Sequence, residues 1–222
     1  MGMGKAYVER AVNDGAKHVV IWDLNEAAME KVKDEFKDSK TSIHTFVVNV
    51  TDTDLIYETA QIVLDEIGPV HLLINNAGIV FSEDFIEHQR KSIDLSMQIN
   101  SIAPMHITRA FLPAMAKESD CHIVNISSGA GYMYCPKIAV YCSSKWAMVG
   151  WSNSLRVELA ESLPHINVTT VNPGHINTGM FDGAHSRLMP AISTDEMVNA
   201  VWNGIKKNKI CVARPRMVGL IP

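Results

Sequence analysis

Val70-His71-Leu72-Leu73-Ile74-Asn75-Asn76-Ala77-Gly78 decides how this chain folds. A short run of strand length, apolar at all but one position, leads into two amides, an alanine and a glycine. A strand with one wet face alternates apolar and polar residues. This one does not, so both of its faces are covered. Similar runs recur at residues 18–22, 43–48, 122–126, 167–171 and 210–213. Between them the apolar residues fall at helical spacing. These segments are 5–13, a stretch capped by Asn25 and reaching residue 36, 55–67, 140–162, and a stretch capped by Thr194 and reaching residue 206. A longer one covers 92–117, where Pro104 and Pro113 should bend or divide it. Alternating strands and helices of this kind make an α/β fold, a doubly wound parallel sheet. Residues 79–89 and 182–192 read as loops. With no repeat, linker or low-complexity stretch, residues 1–222 read as one domain.

Composition narrows the function. The 222 residues are 47% hydrophobic and 20% charged, which excludes disordered and fibrous classes. The formal charge is −4 and no basic block stands out, which argues against nucleic acid as a partner. No apolar stretch reaches the roughly 18 residues of a membrane span. The opening Met1-Gly2-Met3-Gly4-Lys5 lacks the charged-then-apolar pattern of a secretory signal. Cys121, Cys135, Cys142 and Cys211 have no zinc-type spacing and suit free thiols in a reducing, cytoplasmic compartment. The nine histidines form no ligand pair, so no metal site is expected.

Two constellations carry chemistry. Gly2-Met3-Gly4 precedes a helix, where a glycine turn lets backbone N–H groups approach a pyrophosphate. Asp23 ends the next strand nineteen residues after Gly4, near the spacing at which an acid bonds a ribose 2′-hydroxyl. An acid there repels a 2′-phosphate, so NAD is favoured over NADP. Gly-x-Gly alone is weak evidence, and a flexible terminus explains those residues equally well. The stronger constellation is Ser128, Tyr141 and Lys145. Tyr141 and Lys145 lie one helical turn apart on one face. An ammonium beside a phenol should lower the phenol's pKa from about 10, so that it exchanges a proton with an alcohol or carbonyl. Ser128, after the strand at 122–126, could hold the substrate oxygen. A lone Tyr-x3-Lys pair is more often a solvated helical pair; the surrounding motifs overturn that reading.

Gly2-Met3-Gly4, Asp23, Asn75-Asn76-Ala77-Gly78, Asn100, Ser128, Tyr141-x3-Lys145 and Pro173-Gly174 stand in this order along nearly the whole chain. Together they resemble the short-chain dehydrogenase/reductase family, whose fold is Rossmann-like. The resemblance implies hydride transfer between an alcohol and NAD, with Tyr141 as general acid/base. Lys145 would hold the nicotinamide ribose and lower the tyrosine pKa, Ser128 would polarise the substrate oxygen, and Asn100 would position a water in a proton relay through Lys145. Gly2, Gly4 and Asp23 would hold the pyrophosphate and ribose. Asn76, Ala77 and Gly78 would line the adenosine side, with Asn49 and Val50 near the adenine. Pro173, Gly174, Ile176 and Thr178 would contact the nicotinamide end. The family assembles as dimers or tetramers through the long helices near 100–115 and 141–163, so a homodimer or homotetramer is expected.

Val20-Ile21-Trp22-Asp23, Tyr141-Cys142-Ser143-Ser144-Lys145, Asn177-Thr178-Gly179-Met180-Phe181 and Arg214-Pro215-Arg216 look like the branch that holds retinol and 17-beta-hydroxysteroid dehydrogenases of membranes and lipid droplets. That branch implies a lipophilic substrate, retinoid- or steroid-like. Tyr134, Met180 and Phe181 would line its pocket beside Ser128, with a substrate loop at about 179–192. Endoplasmic-reticulum membrane or lipid-droplet association would belong to segments outside this chain. The pattern also departs from the family. Asn49 stands where an aspartate usually meets the adenine, and an amide can still accept that bond. The first strand and the Thr-Gly opening of the phosphate loop have no counterpart, so two strand edges, near Val20 and Ile74, should lie open. The alternative to an enzyme is a catalytically silent scaffold with inherited residues. An NADPH-using carbonyl reductase is disfavoured by Asp23.

Overall fold

The computed structural model describes residues 2–176, 191–215 and 218. Six strands alternate with helices as the apolar runs predict. They are β1 (His18–Asp23), β2 (Ser42–Val47), β3 (Leu72–Asn75), β4 (Cys121–Ile126), β5 (Ile166–Pro173) and β6 (Cys211–Arg214). The helices are α1 (Gly2–Asn13), α2 (Glu26–Glu35), α3 (Thr53–Glu66), α4 (Arg90–Met97), α5 (Ala103–Met115), α6 (Ala139–Ser162) and α7 (Thr194–Ile205). Every strand pairing is parallel.

The strands form two ladders, β1-β2 and β3-β4-β5-β6. Among the described residues β1 and β3 are each paired on one side only, the two edges expected to lie open. Packing joins the ladders where hydrogen bonds do not. Trp22 on β1 meets Phe111 on α5, ring centroids 5.6 Å apart, and Val20, Trp22 and Phe46 pack on the core of Ile56, Val63, Phe111 and Ile123.

Side-chain alternation sorts β4 between two layers. Cys121 and Ile123 face α3, α5 and the far end of α6. Val124 and Ile126 face α1 and α7, against Tyr7, Met197 and Val201. All six residues of β4 are buried, the signature of a strand covered on both faces. The end of α1 is tied to α7 through Asp14, which accepts from Trp202 Nε1 at 2.7 Å and pairs with Lys206 at 2.5 Å.

One sequence expectation is met at Pro104, and two others are corrected. The long segment at 92–117 is two helices joined by a π-helical turn, Gln98–Ile102. Pro104 has no N–H to give the carbonyl of Asn100 four residues back, so the ladder is broken there. Pro113, by contrast, stays inside α5. Ser193, not Thr194, caps α7, its hydroxyl accepting from Glu196 N–H at 3.1 Å. Helix α1 already begins at Gly2, so Gly2, Met3 and Gly4 form its first turn and not a loop ahead of it. Asn25 caps α2 as expected, accepting from Ala28 N–H at 2.9 Å.

Candidate active site

The carboxyl ends of the parallel strands gather the residues singled out in the sequence, as in open α/β sheets generally. Asp23 ends β1, Asn49 and Val50 follow β2, Asn76–Gly78 follow β3, Ser128 follows β4, and Pro173 and Gly174 end β5. Facing them, α6 buries Tyr141, Ser144 and Lys145 on one side.

Ser128 is fixed by the turn it opens. Its hydroxyl accepts from Ala130 N–H at 3.2 Å, capping the 3-10 turn Gly129–Gly131. The turn lies so close to α6 that a Cβ on Gly131 would stand 2.8 Å from Val149 Cγ2 and 2.9 Å from the Lys145 carbonyl. This approach sets the Ser128 hydroxyl, which donates to the Pro173 carbonyl at 3.5 Å, near enough to the Tyr141 phenol to lower its proton affinity.

Lys145 is buried and gripped from the end of β4. Its Nζ donates to the Ile126 carbonyl at 3.1 Å, and its own carbonyl accepts from Ser127 Oγ at 3.0 Å. Burial pulls its pKa from 10.5 down to about 8. The ammonium stands 5.7 Å from the centre of the Tyr141 ring. Burial pushes the Tyr141 phenol up to about 12, opposed by the Ser128 hydroxyl. The expectation that Lys145 lowers this pKa is therefore corrected: in this structure the opposing partner is Ser128, and desolvation dominates.

Asn100 sits in the π turn, fully buried. Its Oδ1 accepts from Ile79 N–H at 2.8 Å, and its Nδ2 donates to the Ile79 carbonyl at 2.9 Å and to Ser144 Oγ at 3.0 Å. Both amide protons are thus committed to protein atoms, so the side chain anchors the π turn to the loop after β3 and to α6. Gly78 stands between the two catalytic candidates: a Cβ there would lie 3.3 Å from Asn100 Oδ1 and 3.5 Å from Lys145 Nζ.

The cofactor candidates form an outer arc. Gly4 lies against Asn76, whose Nδ2 would be 3.3 Å from a Cβ on Gly4. Asn76 Oδ1 is buried without a hydrogen-bond partner among the described residues. Asp23 Oδ1 accepts from Asn25 N–H at 2.9 Å. Asn49 is less open than the sequence suggests, because its Oδ1 already accepts from Thr51 N–H and Oγ1, at 3.1 and 2.9 Å. Gly174 donates its N–H to the Arg214 carbonyl at 2.6 Å, and a Cβ there would meet Pro215 Cδ at 2.9 Å. Ile176 bridges to Ile192, both buried. Thr178, Met180 and Phe181 lie outside the described residues. Tyr134, expected in the pocket, is 89% exposed and stacks on Trp146 with centroids 5.7 Å apart, so it stands on the outside of the fold.

Sequence reasoning missed Ser127, Ser144 and the Ile126 carbonyl. Ser144 left one usable signal, a hydroxyl at a position that helical spacing from Tyr141 and Met148 places on the buried face of α6.

Comparison with known proteins follows this geometry. The sequence pattern described as short chain dehydrogenase matches residues 1–188. Estradiol 17-beta-dehydrogenase 11 of Homo sapiens is 34% identical over 204 residues, covering 91% of this chain and 68% of that protein. The 17-beta-hydroxysteroid dehydrogenase 13 of Homo sapiens is 32% identical over 203 residues, with 91% and 68% covered. Among solved structures, a short chain dehydrogenase/reductase from Burkholderia phymatum in complex with NAD superposes with a TM-score of 0.87 at 20% identity, over 99% of this chain and 88% of that one. A short-chain dehydrogenase from Sphingobium yanoikuyae in complex with NADPH gives 0.86 at 24% identity, over 96% and 84%.

Proposed function

The chain belongs to the short-chain dehydrogenase/reductase family, an NAD(P)-dependent oxidoreductase with the Rossmann-like fold of that family, and we propose that it transfers a hydride between NAD and a lipophilic, retinoid- or steroid-like alcohol or carbonyl. The observation that carries this reading is the convergence of Ser128, Tyr141 and Lys145 at the carboxyl end of β4.

The residues present fit a dinucleotide. The side-chain-free approach of Gly4 to Asn76 keeps the first turn of α1 open, and that turn carries N–H groups with no intrahelical acceptor. Asn76 Oδ1, buried and unpartnered among the described residues, is an acceptor waiting for a donor. Asp23 at the end of β1 suits a ribose diol and repels a 2′-phosphate, which favours NAD. When bound, the nicotinamide supplies the hydride chemistry.

The chain's own residues supply position and the proton. Tyr141 gives or takes a proton at its phenolic oxygen. Ser128, which acts on that phenol, can hold the substrate oxygen at the same point. Lys145 places a positive charge beneath the ring, held by the Ile126 carbonyl. The lipophilic substrate is supported by the relatives' names, which specify estradiol and hydroxysteroids. The deciding experiment pairs two measurements. NADH fluorescence on titration with the protein should show saturable binding, and Tyr141→Phe should abolish NAD reduction with a hydroxysteroid or retinol while leaving that binding intact. No NADH binding would favour the silent-scaffold reading; turnover retained by Tyr141→Phe would remove Tyr141 as the base.

A further inference from the structure

Ser144 precedes Lys145 on α6, is fully buried, and stands where three hydrogen bonds meet. Its hydroxyl donates to the Tyr141 carbonyl at 2.7 Å and accepts from Asn100 Nδ2 at 3.0 Å. Its backbone carbonyl accepts from Ser101 Oγ at 2.8 Å. The π turn therefore holds this one residue by both its side chain and its main chain.

We propose that Ser144 is a positioning residue that takes up the amide proton Asn100 turns towards it, and so couples the loop after β3 to the helical turn carrying Tyr141 and Lys145. The inference rests on the reading of Tyr141 as acid/base. A serine hydroxyl has a single proton. The Ile79 N–H and carbonyl fix the Asn100 amide so that its NH2 group faces Ser144, and the Ser144 proton is therefore free to go to the Tyr141 carbonyl while Oγ accepts from Asn100. That orientation leaves Oδ1 to accept from Ile79 N–H and the second amide proton for the Ile79 carbonyl. Turned over, the amide would set oxygen against the Ile79 carbonyl and NH2 against the Ile79 N–H, and Ser144 could bond it only by giving up the Tyr141 carbonyl. Buried mispairings of this kind cost far more than one ordinary hydrogen bond contributes. The line Ile79 → Asn100 → Ser144 → Tyr141 carbonyl is thus directional, with Ser144 as the link that carries it into α6. Gly78, next to Ile79, is where Asn100 Oδ1 and Lys145 Nζ come together, so the same line fixes the neighbourhood of the lysine.

The competing explanation is that Ser144 merely fills space and satisfies its hydroxyl along its own helix, as serines in helices often do. A cysteine fills the same space but accepts and donates poorly, so Ser144→Cys separates the two, with Ser144→Ala beside it. Two quantities are read: kcat and KM with NAD and a hydroxysteroid, and solvent exchange of the Asn100 side-chain amide protons by 15N NMR. In the unaltered protein those protons should exchange slowly. In both variants they should exchange fast, and kcat should fall about ten- to a hundredfold with the KM for NAD nearly unchanged, as expected for displaced reacting groups. Slow exchange retained in Ser144→Cys would overturn the proposal whatever the rates, as would fast exchange with kcat within about twofold of the unaltered protein. If the unaltered protein oxidises no alcohol, the functional reading falls, and the exchange measurement still decides the role of Ser144.

Discussion

The Ser128 hydroxyl opposes burial in setting how tightly the Tyr141 phenol holds its proton. Ser128→Ala removes the opposition, so the phenol pKa should rise further above about 12. For alcohol oxidation, the limb of the kcat–pH profile that rises with pH should move to higher pH, and kcat near neutrality should fall about a hundredfold. An unmoved profile would mean that Tyr141 does not take its proton affinity from Ser128.

Lys145 costs stability in return for its place beside Tyr141. The folded chain holds the lysine proton less tightly than the unfolded chain, with a pKa of about 8 against 10.5. Between those values the unfolded state binds more protons, so this group's contribution to stability rises with pH there and its full penalty applies below about 8. Lys145→Met should remove a burial cost on the order of 3 kcal/mol at pH 7 and lose about 1 kcal/mol with the Ile126 bond. Urea unfolding should show a variant about 2 kcal/mol more stable, with a flatter pH dependence between 8 and 10.5 and no dehydrogenase activity. A less stable variant would contradict this account.

A buried polar chain crosses the sheet beneath the site. Asn75 Nδ2 donates to Thr108 Oγ1 at 3.0 Å and to Asn125 Oδ1 at 2.8 Å, Asn125 Nδ2 donates to Ser152 Oγ at 2.9 Å, and Ser152 meets Thr170 at 2.7 Å. Asn125→Ala strands partners on both sides. Chemical denaturation should show a loss of about 3 kcal/mol, each stranded buried group costing about 1–3 kcal/mol. A loss below about 1 kcal/mol would mean that the chain can close around the gap.

Asp23 is bonded to Asn25 N–H, while the cap of α2 comes from Asn25 itself. Asp23→Ala should therefore spare the helix and act on cofactor choice. The ratio of NADH to NADPH affinity should shift by about tenfold or more towards NADPH, since about 1.4 kcal/mol is one factor of ten. An unchanged ratio would remove Asp23 from the ribose site.

Much of this site is written locally. Tyr141 and Lys145 share a face because they are four apart on a helix, and Asn76–Gly78 sit at a strand end because an apolar run stops there. Asn100 was found, yet not the protein groups its side chain holds. Whether an amide holds a water or the protein depends on partners twenty-one and forty-four residues away, Ile79 and Ser144. The phenol's proton affinity was misjudged for a similar reason: the spacing of Tyr141 and Lys145 is local, but the desolvation that dominates it comes from the whole fold. Ser193 and Thr194 offer equivalent capping hydroxyls, and only the backbone at the start of α7 distinguishes them.

The division of the strands into two ladders has a dynamic consequence. The β1-β2 pair is held to the rest by side-chain packing, including Trp22 on Phe111, with no inter-ladder hydrogen bonds among the described residues. Such a unit can open on its own, below the free energy of global unfolding. It carries Asp23, whereas Ser128, Tyr141 and Lys145 belong to the four-stranded part. Amide protons of residues 18–23 should then exchange by local opening and slow down when NADH is added, because a ligand held by both parts fastens the looser one to the firmer.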